Sequence, residues 1–510
     1  MTNPIKQQRE HIRSAGILMH ITSLPSPFGI GDLGPQAEAF ANFLHCSHQK
    51  FWQLLPLNPT EQGQLHSPYS SLSSKAGNPL LISPELLVND GLLAIEELQQ
   101  YHLPNQAQAN YAEAERVKDE LFNKAWQTFK EEKFEELKQE FNEFCQTEES
   151  WLNDFAVFML LKKQYKGKPW FSWPEEYKLC QPKALDNLTS RHKDELQKVK
   201  WLQFMFAKQW KKLRHYCHQL GIQLFGDMPF YISYDSADVW SDREIFAIDG
   251  AGNMTGVAGV PPDAFSDDGQ FWGMPVFKWD VLKKRNYDWW IQRFKKNMEL
   301  FDIVRLDHFR AFVDYWEVPA TETTARHGVW RPGPGADLFT VAKEVLGSLP
   351  FVAEDLGDIN NAVYELRDQF NLPGMKILQF AFGEDMQESI HAPHNYHENF
   401  IVYTGTHDNN TIRGWYRCEV NKANRHRLEH YVGTKTSEED IHIMLGRLAY
   451  SSVAKTVILP MQDILALDES CRMNTPASNK NNWGWRLLPN QLTKDAEKLL
   501  KEWTWLYNRK

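Results

Sequence analysis

The chain has 510 residues, 42% of them hydrophobic and 24% charged, a balance that supports a large buried core and excludes a disordered polymer. Its formal net charge is −10 and no long basic run interrupts it, so nucleic acid is not an expected partner. No window approaches ~18 uninterrupted apolar residues, and the polar start MTNPIKQQREHIRSAG leads into no signal-type segment; a cytoplasmic protein with no membrane partner is expected.

Eight short apolar runs follow one another along the chain. They are GILMHITSL from Gly16, KFWQLLPL from Lys50, IQLFGDMPFYI from Ile222, FDIVRLDHFRAF from Phe301, LPFVAEDLG from Leu349, GMKILQFAF from Gly374, NFIVYTGTHD from Asn399 and AKTVILPMQDIL from Ala454. Helical patterns separate them and no two-residue hairpin turn joins them, which predicts a parallel sheet, and eight strands is the number that closes a barrel. The expected fold is therefore an α/β (β/α)8 TIM barrel, one catalytic domain over 1–510, with a doubly wound open sheet as the alternative. After the first run, GIGDLG from Gly29 satisfies G-x-G-x-x-G. The acidic residue that a dinucleotide site wants about 20 positions on is missing, so these glycines read as turn residues with Pro35 starting a helix. Between the second and third runs, residues 85–200 are rich in Glu, Lys and Phe with helical periodicity, an inserted helical subdomain rather than a coiled-coil arm. Residues 232–300 read as a loop-rich Gly/Asp/Pro insertion, and 466–490 as another long loop at the C-terminal face.

In such a barrel the chemistry sits where the strands end. The third run ends in Asp227, the fourth in Asp307, the fifth in Glu354, the seventh in His407 and Asp408, and the eighth in Gln462 and Asp463. A strand repeats every two residues, so Arg305 shares a face with Asp307, Val352 with Glu354, Thr404 and Thr406 with Asp408, and Phe225 with Asp227. Asp307, Glu354 and Asp408 at separate strand ends point to a catalytic cluster more than to an ion-paired rim. Carboxylates about 5–5.5 Å apart run retaining glycoside chemistry, one as nucleophile and the other as acid and then base. Arg305 is the cation that favours the charged form of Asp307. Trp272 in GQFWGMP and Tyr69 in SPYSS are candidate platforms for sugar faces. His391, His394 and His397 have a spacing that suggests a metal, but Pro393 breaks the helix they would need, and six dispersed cysteines without a C-x-x-C pair fit reduced thiols, so no metal site is expected. Arg310 has no assigned purpose.

From GILMHITSLPSPFGIGDLG to RMNTPASNKNNWGWRL the chain resembles the 4-alpha-glucanotransferases of the amylomaltase, or disproportionating enzyme, family within the alpha-amylase superfamily. SPYSSLSSKAGNP, GDMPFYISYDSADVW, VAGVPPDAFSDDGQFWGMP, VRLDHFRAF, AEDLG, LPGMKILQFAF and YTGTHDNNT carry the resemblance. It implies Asp307 as nucleophile, Glu354 as general acid/base and Asp408 as the carboxylate that steadies the transition state. It further implies that Arg305 orients the nucleophile, that His308 and His407 hydrogen-bond the sugar, and that Asp227 serves the site's architecture. Tyr69, Asp263, Gln270 and Trp272 would line the glucan path, the last two in a loop of the 232–300 insertion that covers the cleft. The implied reaction passes alpha-1,4-glucan segments from a donor to an acceptor glucan, such as maltooligosaccharides or chains derived from starch or glycogen, with glucose released from short donors and no cofactor. An alpha-amylase-like hydrolase and a catalytically inactive glucan-binding protein are the alternatives. Two departures stand out: Met274 where the family has Asn, which bears on acceptor binding, and Ala477 where a Gly follows the Pro, which bears on the last barrel loop.

Overall fold

The computed structural model describes residues 13–262 and 267–510. In chain order its strands are β1 (Ser14–Leu18), β2 (Phe51–Gln53), β3 (Gln223–Met228), β4 (Gly256–Val260), β5 (Gln270–Pro275), β6 (Ile303–Leu306), β7 (Asp314–Pro319), β8 (Val329–Pro332), β9 (Phe351–Ala353), β10 (Gly374–Ile377), β11 (Phe400–Tyr403) and β12 (Thr456–Pro460). Eight of them form a parallel sheet in the order β10-β11-β12-β1-β2-β3-β6-β9, and each overlaps one of the eight apolar runs, β1 starting at Ser14, two residues before its run. The two ends of that order meet. Ala353 N–H donates to the Pro373 carbonyl at 2.8 Å, and Met375 N–H donates to the buried Asp355 carboxylate at 2.8 Å. Arg367 completes the pairing of Asp355 at 2.6 Å, so the sheet is a closed (β/α)8 barrel. Near-continuous apolar strands are what a sheet covered on both faces requires; Val304 and Leu306 of β6 are fully buried, as is Val402 of β11.

The connection from β2 to β3 carries most of the added helix. Its longer members are Tyr111–Phe129, Glu135–Thr147, Glu149–Gln164 and Lys193–Gln219. The phenylalanines of the Glu/Lys-rich pattern meet one another across these helices. Phe129 packs edge-on to Phe141 with centroids 5.8 Å apart, Trp126 lies 5.6 Å from Trp201, and Phe141 lies 5.8 Å from Phe204. Lys162 fastens this layer to the barrel: its Nζ, on a side chain only 5% exposed, lies 2.6 Å from Asp235 in the loop after β3 and 2.9 Å from Glu61 in the loop after β2. Removing one partner of a buried pair strands the others. Lys162→Met is therefore expected to cost about 3 kcal/mol, read as a lowered midpoint in urea unfolding, and an unchanged midpoint would refute the fastening role.

The stretch 232–300 is not loop throughout. It contains β4 and β5, which join β7 and β8 in a second, antiparallel sheet ordered β5-β4-β7-β8. The strands escape a reading of the sequence because GVAGV lacks alternation, and QFWGMP, DYWEVP and VWRP each end in proline. Gly259 makes the pairing possible: a Cβ there would stand 2.4 Å from the Gln270 carbonyl, and the register shifts beside it.

The GIGDLG turn is occupied by the protein itself. Asp32 accepts from Gly34 N–H and Ser26 at 3.1 Å each and pairs with the buried Lys118 at 3.3 Å. A Cβ at Gly31 would meet the Ile21 carbonyl at 2.0 Å. Gly34 caps the helix Pro35–Cys46, whose first residue is Pro35.

Candidate active site

Arg305 is the centre of the barrel mouth. It projects inward from β6 in register with Asp227 of β3 and is 4% exposed. Its Nη1 donates to both Asp227 oxygens at 2.8 and 2.9 Å, a charge-assisted contact that one nitrogen shares between the two oxygens. Its Nη2 lies 2.8 Å from Asp307 Oδ1 and 4.0 Å from Glu354 Oε2. Burial works against this cation, but Asp227 and Asp307 outweigh it and push its pKa well above the ordinary arginine value. Tyr69 Oη donates to Asp227 Oδ2 at 2.6 Å, so the loop after β2 is tied to the same group.

Asp307 and Glu354 each stand one residue beyond their strand, where the ladder still runs: Asp307 N–H donates to the Met228 carbonyl at 3.0 Å and Glu354 N–H to the Leu306 carbonyl at 3.1 Å. The period-two count is therefore sound for both. The Glu354 carboxyl accepts His308 N–H at 2.8 Å and Leu356 N–H at 3.0 Å. Burial pushes its pKa up to about 7; Arg305 pulls the other way and Asp307 adds to the rise. His308 has φ +49°, a left-handed turn rare for a side-chain-bearing residue. Burial lowers its imidazole to about 4, which leaves it neutral at neutral pH. Its ring meets Trp272 edge-on at 5.0 Å, and Trp272 Nε1 donates to Gln270 Oε1 at 3.1 Å. The second sheet thus delivers Gln270 and Trp272, through β5, to the turn that follows the Asp307 strand.

Asp408 arrives by another route than strand parity. β11 stops at Tyr403, and beyond it Asn409 Oδ1 accepts from Thr406 N–H at 2.9 Å in a local turn. Asp408 is then held by the loop after β12. Asn474 Nδ2 donates to its Oδ1 at 2.6 Å, Arg472 Nη2 donates to its carbonyl at 2.6 Å, and Asn474 N–H donates to the His407 carbonyl at 3.0 Å. His407 lies 3.4 Å from the same Asp408 oxygen and stacks on Tyr69 with centroids 5.1 Å apart and planes 16° apart. Tyr69 therefore joins the Arg305 cluster to the Asp408 pair. Asn474 and Arg472 had no assigned role in the sequence; a polar RMNT stretch beside the last strand end was the available signal. Asp463, also at a strand end, turns away to accept from Thr404 at 2.6 Å and Ile412 N–H at 2.8 Å.

A small hollow of about 20 Å³ lies against His407, bounded by His20, Thr406, Gln462, Arg472 and Trp485, and a second of about 10 Å³ lies between Tyr111 and Trp483 and shares His20 and Met473 with it. Asp263 lies outside the described residues. Met274 is half-buried in β5 and packs against the core. Ala477 has φ +58°, the region where a Cβ is strained and glycine is not. Ala477→Gly is expected to leave activity unchanged and raise stability by about 0.5–1 kcal/mol, the strain relieved less the extra freedom of the unfolded chain; a lowered thermal midpoint would contradict this.

The three histidines of HAPHNYH part company: His391 Nδ1 accepts from Ile377 N–H at 3.2 Å, His394 Nδ1 lies 3.1 Å from Tyr431 Oη, and His397 stacks on Phe400. Among the described residues no three His, Cys, Asp or Glu side chains are grouped to hold a metal ion, and no helix is long and apolar enough to cross a membrane.

Known proteins match this arrangement along almost its whole length. The sequence profile of the 4-alpha-glucanotransferase family covers residues 19–492. A 4-alpha-glucanotransferase of Synechocystis sp. is 44% identical over 501 residues, 98% of each chain. One of Thermus thermophilus is 43% identical over 488 residues, 94% of this chain and 96% of its own. The solved amylomaltase from Streptococcus agalactiae in complex with acarbose has a TM-score of 0.93 at 39% identity, covering 98% of this chain and 99% of that one. Shared sequence and shared barrel together place the chain in the 4-alpha-glucanotransferase family of glycosyl-transferring enzymes.

Proposed function

We propose that the chain moves alpha-1,4-glucan segments between donor and acceptor glucans by a retaining double displacement. Glu354 gives its proton to the glycosidic oxygen as an Asp307 oxygen bonds to the anomeric carbon, and the leaving chain departs as an alcohol. The 4-hydroxyl of an acceptor then attacks that carbon, returns its proton to Glu354 and releases the Asp307 carboxylate, so the configuration is kept. Asp408, steadied by Asn474, supplies negative charge beside the developing oxocarbenium ion.

The observation that carries this reading is the unequal environment of the two carboxyls around Arg305. Asp307 is paired with the guanidinium at 2.8 Å, while Glu354 is buried and pushed up to about 7. Environments that set two carboxyl groups apart assign the attacking base and the proton donor. His308 and His407 contact the sugar, Asp227 braces Arg305, and Tyr69, Gln270 and Trp272 line the glucan path. The 232–300 insertion covers the cleft and the 85–200 helices wall it. The relative from Streptococcus agalactiae was solved with acarbose, which supports a saccharide occupant. Six cysteines without a disulfide suit the cytosol as the compartment.

Incubation with maltotriose is expected to give glucose together with a ladder of longer maltooligosaccharides. Glucose and maltose with no ladder would mean that water is the acceptor and the enzyme is a hydrolase.

A further inference from the structure

Arg310 lies in the single turn Phe309–Phe312 that follows Asp307 and His308, and its side chain is 12% exposed. Its Nε donates to Asp314 Oδ1 at 2.7 Å. Its Nη1 donates to the Asp358 carbonyl and lies 3.3 Å from Asp358 Oδ2. The guanidinium lies over the ring of Trp330 in β8, 3.8 Å from the centroid. The other Asp314 oxygen accepts from Asn360 Nδ2 at 2.8 Å, and the Asn360 side chain caps the helix Asn361–Gln369 by accepting Val363 N–H at 3.2 Å. Arg310 thus grips the segment after Glu354 twice, directly at Asp358 and through Asp314 at Asn360.

The two N–H groups that hold the Glu354 carboxyl come from the two sides of this grip. His308 belongs to the Arg310 turn, and Leu356 belongs to the segment that Arg310 holds. We propose that Arg310, seated on Trp330, is a positioning residue for proton transfer: it clamps the Glu354 loop onto the Asp307–His308 turn, so that the proton donor is presented in register with the nucleophile. The inference rests on the reading of Glu354 as that donor. Without the clamp the two segments part, the carboxyl cannot keep both N–H partners, and protonation of the leaving oxygen falters while attack by Asp307 remains possible.

The test compares kcat/KM for glucose release from maltotriose, which needs a proton, with kcat/KM for fluoride release from α-maltotriosyl fluoride, which does not. Arg310→Ala is expected to lower the first about 100-fold and the second by less than about threefold, within what a misplaced general acid removes. Trp330→Ala, at an exposed strand edge, is expected to show the same split at about tenfold and serves if Arg310→Ala does not fold. Equal losses on both donors, or no loss on either, would overturn the clamp. Glu354→Ala measured alongside separates the two claims. A split there without one in the clamp variants discards the clamp alone, and no split in Glu354→Ala discards the proton-donor reading itself.

Discussion

Asp307→Ala is expected to lose on the order of 10⁴-fold or more of its maltotriose disproportionation rate, because no covalent glycosyl intermediate forms without the carboxylate oxygen. The fold should survive. Arg305 keeps its two hydrogen bonds to Asp227, and the Asp307 side chain, 27% exposed at the mouth, leaves space that water fills. A thermal midpoint within a few degrees of the parent together with lost transfer separates chemistry from unfolding. Undiminished transfer in this variant would remove Asp307 from the role of nucleophile.

Glu354→Gln should lower kcat/KM for maltotriose about 10³-fold, and the pH profile of the parent tells why. The carboxyl, pushed up to about 7 by burial, is protonated below that pH and ionised above it. The first step needs the protonated form, so kcat/KM should hold below about 7 and fall tenfold per pH unit above it. The glutamine variant has nothing to titrate there, so its residual rate should be level over the same range. A parent profile that stays flat from pH 6 to 9 would remove Glu354 from the role.

Much of this site was open to inspection in the chain because its parts ride on strands. Asp227, Arg305, Asp307 and Glu354 lie on or one step past laddered backbone, and a two-residue repeat carries direction that far. Asp408 was nominated by the same count, yet it sits past a turn and owes its place to Asn474 and Arg472, more than sixty residues away. No local periodicity encodes such a contact. The second sheet stayed hidden for a related reason: three of its four strands end in proline, they pair across a stretch that looks like loop, and β8 is exposed at every position. Arg310 was a charge without a purpose because, apart from Asp314, its partners lie in β8 and in the loop after β9.

The junction between β9 and β10 also governs when the protein can begin to work. A ring of eight strands needs one last pairing, and here that pairing rests on Ala353 N–H and on the Asp355 side chain in place of a full ladder. Glu354 stands between those two residues. During refolding, an open ring leaves Asp355, and with it the segment after Glu354, untied to β10 even when Arg305 and Asp307 already sit on β6 and β6 is paired with β9. Recovery of catalysis is thus a clock for barrel closure, and it should lag the signal of helix formation.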